Sequence, residues 1–233
     1  MKRSPTLLAV CAAAALLGPG SAAAQHDLDV SRVTAVRVTG AASHIDLSAS
    51  ATGTYRASLG ARHLGWFSWW YSSWFFNACS TTSRMWLRGT TLNIDVTPQP
   101  FSSDCTVVIR AHLPANVGVS ITQAAVDAHL HGDFSSIRLD GAAANFTFAG
   151  DLRDLDLHSR AMHARLKFVR VRRNETLRID AKSLAADIAF PRGTRISYDV
   201  RADAALVNSS LGNTPGAKPA IAITGDYVMA TIR

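Results

Sequence analysis

Apolar and polar residues alternate along most of this chain with a period of two, which is the pattern of strands with one buried face. One apolar pair recurs at spacings of 18, 18 and 22 residues: Val119 and Ile121, Ile137 and Leu139, Leu155 and Leu157, Leu177 and Ile179. A second pair keeps the same spacings: Ala128 and Leu130, Phe146 and Phe148, Ala164 and Leu166, Ala186 and Ile188. Stacking such units pools apolar faces that are too small to be stable alone. The pattern predicts an all-β fold, a parallel β-solenoid with repeats of about 18 residues.

The same register makes three further predictions. Outward residues of the first strand, Arg138 and Asp156 among them, become neighbours of opposite charge. A weaker unit follows 19 residues after the Leu177 unit, so that Ile196 aligns with Leu177. The turn-rich segment 208–219 then leads to a last strand pair within 220–232.

The chain begins with a predicted signal peptide over residues 1–24. Lys2 and Arg3 precede an apolar run that ends at Leu17, and small residues follow up to Ala24. The run is too short to span a bilayer, so we expect an exported protein that is periplasmic, associated with the outer membrane, or extracellular. Without Lys2 and Arg3 the formal net charge of +7 falls to +5, which suits anionic glycans or lipid headgroups and does not require nucleic acid.

Cysteine usage agrees with export. Cys11 lies in the predicted signal peptide, which leaves Cys79 and Cys105 as an even pair. In an oxidising compartment such a pair forms a disulfide, and two free buried thiols are the alternative. Two cysteines without CxxC spacing favour neither a zinc site nor a redox site.

A tryptophan-rich insertion at 65–76 is the most unusual feature. Its eight aromatic residues fit on neither one helical face nor one strand face: Trp66, Phe67, Trp69, Trp70, Tyr71, Trp74, Phe75 and Phe76. Three interpretations stay open. The insertion is a hydrophobic plug at the end of the solenoid, a contact with a membrane interface or a protein, or an aromatic platform for a glycan.

Four cations lie close together on the insert that lengthens the third repeat: Lys167, Arg170, Arg172 and Arg173. They are candidates for binding lipid phosphates or acidic polysaccharide, although loops of this kind are usually only solvated. Two further groupings are candidates for metal or acid–base chemistry, with an outward polar ladder as the alternative. These are Asp140, His158 and Asp180 on successive repeats, and His129 with His131 on one strand face.

Several segments resemble the bacterial "putative adhesin" family of β-strand-repeat domains, exported proteins of unknown function. The resemblance rests on the strand pair around Val36–Gly40 and His44–Leu47, the strand Thr91–Val96, and the passage Val107–Ile121 that leads into the glycine-punctuated repeats. It implies a solenoid-like β fold and an envelope or extracellular address, and it carries over no catalytic residues. The tryptophan-rich insertion and the cysteine pair depart from the family pattern.

We therefore expect a signal peptide (1–24), an N-terminal β region (25–115) and solenoid repeats with C-terminal strands (116–233), the last two forming one continuous domain. The expected function is non-catalytic surface contact with an envelope surface, a glycan or another protein, as an adhesin-like module or an envelope scaffold, with no cofactor, metal or nucleic acid. The alternative is a periplasmic protein that binds or cleaves polysaccharide through its Asp and His columns.

Overall fold

The computed structural model describes residues 26–63, 79–98 and 105–233. Within these ranges the chain is all β, and no helix is long and apolar enough to cross a membrane. The strands are β1 (His26–Asp29), β2 (Ala35–Ser50), β3 (Arg56–His63), β4 (Arg84–Arg88), β5 (Thr91–Val96), β6 (Cys105–Pro114), β7 (Val117–Phe168), β8 (Thr176–Ala189), β9 (Ser197–Ser209) and β10 (Ala220–Ile232). They form one open mixed sheet. The predicted all-β class is confirmed, and the description of the sheet as a solenoid stays a prediction.

Strand β7 is 52 residues long and contains three of the predicted repeats. Its own side chains meet at a separation of 18 residues: Arg138 Nε lies 3.3 Å from Asp156 Oδ2, and Asn145 Nδ2 lies 2.7 Å from Asp127 Oδ1. Both contacts have the predicted 18-residue offset, and the first places opposite charges side by side on the outward face.

The 22-residue step is confirmed by the pairing of β7 with β8. The two strands are parallel, with Leu155 beside Leu177 and Ala164 beside Ala186. The polar insert at 169–175 takes up the four extra residues without shifting the apolar ladder. Register is held because a slip of one residue would turn the whole apolar set outward.

The order of the last two strands differs from the sequence prediction. Strand β10 lies between β8 and β9, and it is parallel to both. Ile221 pairs with Leu177 on one side and with Tyr198 on the other, so Tyr198, not Ile196, occupies the level of Leu177. The prediction was wrong in both neighbour and register. The residues of β10 are more apolar at the inward positions than those of β9, and insertion buries them on both sides.

A second departure from chain order occurs at the N-terminal end. Strands β5 and β6 come later in the chain than β2, yet both pair with β2 in parallel, on the side opposite to β7. Antiparallel strands then flank them: β4 pairs with β5, β3 pairs with β6, and β1 pairs with β3. The described part of the sheet is therefore parallel in its middle and antiparallel at this end.

The inward side chains form one continuous core. Phe146 and Phe148 are fully buried, as are Ile121, Leu130 and Leu139. A row of phenylalanine rings runs along the stack, with centroid separations of 6.3, 5.6 and 4.9 Å between successive members: Phe134, Phe148, Phe168 and Phe190. Rings at these separations add contact energy to their area burial, so the stack is reinforced along its length.

Glycines at the repeat junctions are required by close backbone approach. Gly132 and Gly150, which open two successive repeats, have φ values of 107° and 153°. A Cβ on Gly132 would lie 1.9 Å from the carbonyl oxygen of Ala49, and one on Gly150 would lie 2.0 Å from the carbonyl oxygen of Gly132. Only glycine fits these positions, because the obstacle is backbone that cannot move aside.

The predicted disulfide is present, with Cys79 and Cys105 bonded and their Cα atoms 5.7 Å apart. It joins the segment that precedes β4 to the first residue of β6. The predicted signal peptide (1–24) and the tryptophan-rich insertion (65–76) lie outside the described residues.

Candidate contact surface

A groove with a volume of about 1130 Å³ crosses the sheet from β6 to β9. Seven successive passes of the chain line it with about three residues each, and Thr106 of β6 adds to one end: 42–44 of β2, 125–127, 143–145 and 161–163 of β7, 183–185 of β8, 227–229 of β10, and 204–206 of β9. Parallel strands lie about 4.8 Å apart, so the groove is roughly 29 Å long.

Small residues occupy the first lining position on almost every strand of the groove. Alanine or serine stands at the first lining position of every pass except one: Ala42, Ala125, Ala143, Ala161, Ser183 and Ala204. The exception is Tyr227, which pairs with Ser183 on one side and with Ala204 on the other. Because the small side chains leave space over the sheet, the phenol of Tyr227 stands above its neighbours and is 68% exposed.

The groove changes character along its length. At its β2 end the third lining position of each pass is polar, and His44, Asp127, Asn145 and His163 form a row. At its β9 end the equivalent residues are Ala185, Met229 and Leu206. The groove therefore has a polar end and an apolar end.

The apolar end carries three large side chains that are largely open to solvent. Leu206, Tyr227 and Met229 are 63%, 68% and 58% exposed. Met229 pairs directly with Leu206 across β10 and β9, and Tyr227 lies two residues before Met229 on the same face. Single exposed apolar residues are ordinary, but a contiguous group of this kind is typical of an interaction site.

Asp127 is the centre of the polar row. Its carboxylate accepts hydrogen bonds at 2.8 Å from His44 Nδ1 and at 2.7 Å from Asn145 Nδ2, and His129 Nε2 lies 3.2 Å away. Partial burial alone would raise the pKa of Asp127, but the hydrogen bonds from His44 and Asn145, together with the charge of His129, lower it below its ordinary value. The row continues to His163, whose Nδ1 lies 3.2 Å from Asn145 Oδ1.

Two residues of this row, together with His129, form a group that could hold a metal ion. One ligand atom each from His44, Asp127 and His129 lies within 4.8 Å of the other two. The sequence analysis singled out His129 but paired it with His131, which the structure leaves outside this group. His44 comes from another strand, and no spacing in the sequence marks it as a neighbour of Asp127.

The second predicted metal or acid–base grouping is only partly assembled. His158 pairs with Asp180 in the strand register, and its Nδ1 lies 3.6 Å from Asp180 Oδ2. Its other ring nitrogen lies 2.8 Å from Asp156, a residue outside the predicted set. Asp140 is not within 4 Å of His158 in the described part of the chain. His158 thus bridges two carboxylates on an exposed strand face.

The four cations of the insert differ in whether they form ion pairs within the protein. Arg170 Nη2 lies 2.5 Å from the buried Asp151 and 3.5 Å from Asp133, and hydrogen bonding to Asp151 raises the pKa of Arg170. Arg172 Nη2 lies 3.8 Å from Asp151, and the backbone N–H of Arg172 donates to buried Glu175. Lys167 and Arg173 are exposed and form no ion pair with a described residue. Two of the four predicted anion-binding residues therefore help to hold the insert in place.

The described residues that flank the tryptophan-rich insertion belong to the N-terminal end of the sheet. His63, the last residue of β3, pairs with Cys105, and Cys105 is bonded to Cys79. The next residue, Thr106, lines the groove. The described residues on either side of the insertion, His63 and Cys79, are thus connected to the strand that reaches the polar end of the groove. Trp86 on β4, which the sequence analysis did not single out, is 44% exposed.

Comparison with known proteins gives the following findings. No protein-family model matches the chain, and no curated protein matches it either. The similar crystal structures include two bacterial proteins. A "putative cell adhesion protein" from Clostridium sporogenes ATCC 15579 is 9% identical with a TM-score of 0.43, covering 90% of this chain and 98% of its own. A "putative adhesin" from Bacteroides fragilis NCTC 9343 is 12% identical with a TM-score of 0.45, covering 92% of this chain and 98% of its own.

Proposed function

We propose that this chain is an exported, non-catalytic protein that acts by surface contact, as an adhesin-like module or an envelope scaffold. The groove is its contact surface, and the apolar end supplies most of the binding energy. The observation that carries this proposal is the contiguous exposure of Leu206, Tyr227 and Met229. Large apolar groups that are open to water in the free protein gain the most when a partner covers them.

The compartment is part of the proposal. The disulfide between Cys79 and Cys105 is typical of a protein that folds in an oxidising environment. We propose the periplasm, the outer membrane or the cell exterior, where anionic glycans and lipids complement the cationic chain. Lys167 and Arg173 are the two insert cations best placed to meet such anions, because they are exposed and outside the Asp151 network.

The test removes the apolar end and measures binding to the envelope. A variant with Leu206→Ser, Tyr227→Ser and Met229→Ser keeps the strands and deletes the exposed apolar area. We expect its sedimentation with purified envelope fragments to weaken by about ten-fold or more, which corresponds to about 1.4 kcal/mol. The matched control replaces two exposed apolar residues away from the groove, Leu87→Ser and Val169→Ser.

Equal sedimentation of the wild type and both variants would contradict the proposed role of the groove. The tryptophan-rich insertion needs its own variant, with Trp69→Ser, Trp70→Ser and Trp74→Ser. Weaker sedimentation of that variant would make the insertion a second contact site. Unchanged sedimentation together with reduced thermal stability would make it a plug.

A second function, binding or cleavage of polysaccharide in the periplasm, is favoured by one feature. The polar row offers histidine, carboxylate and amide groups on successive passes of the chain beside a long open groove, and Tyr227 adds an aromatic ring. Such a groove suits an extended sugar chain. Incubation with purified peptidoglycan or acidic polysaccharide distinguishes the two modes. New reducing ends on the polysaccharide that are no longer formed by Asp127→Asn or Asp156→Asn would indicate cleavage. Retention of the protein on the polysaccharide without new reducing ends would indicate binding alone.

A further inference from the structure

We propose that His44, Asp127 and His129 bind one divalent transition-metal ion of the zinc type on the outward face of the sheet. This inference is independent of the contact function, because it rests on the polar end of the groove and not on its apolar end. The set comprises two imidazole nitrogens and one carboxylate. These are donors that suit Zn²⁺ and its neighbours in the first transition row, and they are a poor match to Mg²⁺ or Ca²⁺.

The distances between donor atoms fit a tetrahedral ion. Zinc lies about 2.0–2.1 Å from nitrogen and oxygen ligands, so two ligand atoms of one tetrahedron lie roughly 3.3 Å apart. His44 Nδ1 lies 2.8 Å from Asp127 Oδ2, and His129 Nε2 lies 3.2 Å from Asp127 Oδ1. The three donors lie within 4.8 Å of one another. Small rotations of the two rings would bring them around one centre, and a water molecule would supply the fourth ligand.

The sheet holds the three ligands in place before any metal arrives. His44 and Asp127 are direct register partners on parallel strands β2 and β7. Asp127 and His129 are two residues apart and so share one face of β7. The two imidazole rings already lie close together, with centroids 5.3 Å apart and a tilt of 45° between their planes. Ligands on paired strands lose little freedom on binding, which favours affinity.

A supporting shell surrounds the carboxylate. Asn145 Nδ2 donates to Asp127 Oδ1, and Asn145 Oδ1 contacts His163 Nδ1. Hydrogen bonds of this kind fix the orientation of a ligating carboxylate, and their removal typically weakens metal binding ten- to a hundred-fold. Without metal, His44, His129 and Asn145 all lie close to the carboxylate of Asp127, so the ligands are already gathered at one point of the sheet.

The experiment measures Zn²⁺ binding to the untagged mature chain by isothermal titration calorimetry and equilibrium dialysis. We expect saturable binding of one Zn²⁺ per chain. His44→Ala and His129→Ala should each weaken it by at least about ten-fold, and Asn145→Ala should weaken it by a comparable factor through Asp127. Co²⁺ replacement should give the visible spectrum of a tetrahedral site, and that spectrum should be lost in Asp127→Asn.

The matched control is His158→Ala. His158 is also an outward histidine within hydrogen-bond distance of an aspartate, Asp156, but it belongs to no group of metal-binding side chains among the described residues. Its loss should leave Zn²⁺ binding unchanged. Circular dichroism verifies that each variant is folded, and the Asp127→Asn variant retains side-chain volume should an alanine variant unfold. Absence of one-to-one binding in the wild type would overturn the proposal, as would binding that survives both His44→Ala and His129→Ala.

Discussion

The two ends of the sheet differ in how far the inward residues of their terminal strands are covered. Any stack of parallel strands has two terminal strands whose inward residues lack a neighbour on one side. At the N-terminal end, β3 pairs with β6 in antiparallel fashion, and its Ala57 and Leu59 are buried. The disulfide fastens the same end to the segment before β4. At the C-terminal end, β9 has no further partner among the described strands, and its Ala205 is exposed.

The comparison shows that position in the stack, more than residue type, decides burial. Tyr198, Ile221 and Leu177 lie at one level of the ladder on three neighbouring strands. Leu177 and Ile221 are 1% and 3% exposed, whereas Tyr198 is only half-buried. An inward-facing apolar residue is covered fully when strands flank it on both sides, so the inward face of β9 retains free apolar surface and the strand has an open edge. The exposed residues of the groove lie at this end.

The largest loss of stability is expected from a substitution in the middle of the sheet. Phe146→Ala removes a fully buried ring of β7, and we expect the free energy of unfolding to fall by about 3–5 kcal/mol. Urea denaturation followed by circular dichroism measures the change. A loss under about 1 kcal/mol would mean that this part of the sheet is not the tightly packed region of the fold.

The next largest loss of stability is expected from removal of the disulfide at the N-terminal end. Replacing both Cys79 and Cys105 by serine should lower the free energy of unfolding by about 3 kcal/mol, because the unfolded chain loses the closure of a loop with a sequence separation of 26. Denaturation without reductant gives the value. The wild type measured with reductant should behave like the double variant, and equal stability of the oxidised and reduced wild type would contradict a stabilising role for the bond.

A smaller loss in the free energy of unfolding is expected when the pH is lowered, and it arises at Asp127 in the polar end of the groove. The lowered pKa of Asp127 means that the ionised carboxylate stabilises the fold. Its contribution is complete well above the ordinary value of 3.8 and is lost as the pH falls through 3.8 to the lower folded-state pKa. The size is at most about 1 kcal/mol, because solvent screens this half-exposed group.

The measurement for Asp127 is the difference in unfolding free energy between the wild type and Asp127→Asn at pH 6 and at pH 3. The difference should shrink at pH 3. A difference that grows toward acid would have the opposite sign and would exclude this origin.

The smallest loss of stability is expected from a substitution on the terminal strand β9. Val207→Ala on β9 removes a half-buried side chain that faces the inward side at the level of Ala230, and stability should change by about 0.5 kcal/mol or less. The same denaturation assay compares it with Phe146→Ala. A loss above about 2 kcal/mol would show that β9 is covered in solution, for example by a second copy of the chain.

As far as Ile188, the sequence by itself determined the alternating strand pattern, the inward positions and the steps between repeats. The 18- and 22-residue steps that end at Leu155 and Leu177 could be read because alternation is a local property and each repeat carries it. The disulfide could also be expected, since an exported chain with one cysteine pair offers one natural bond.

Only the tertiary structure decided the order of the stack and the membership of the polar cluster. Strands with the same alternation can pair with one another in more than one order, so nothing local places β10 between β8 and β9 or β6 beyond β2. His44 meets Asp127 across 83 residues of chain because β2 happens to be the neighbour of β7. Which outward side chains become neighbours is a property of strand order, and strand order depends on the total burial of the whole sheet, which no single segment encodes.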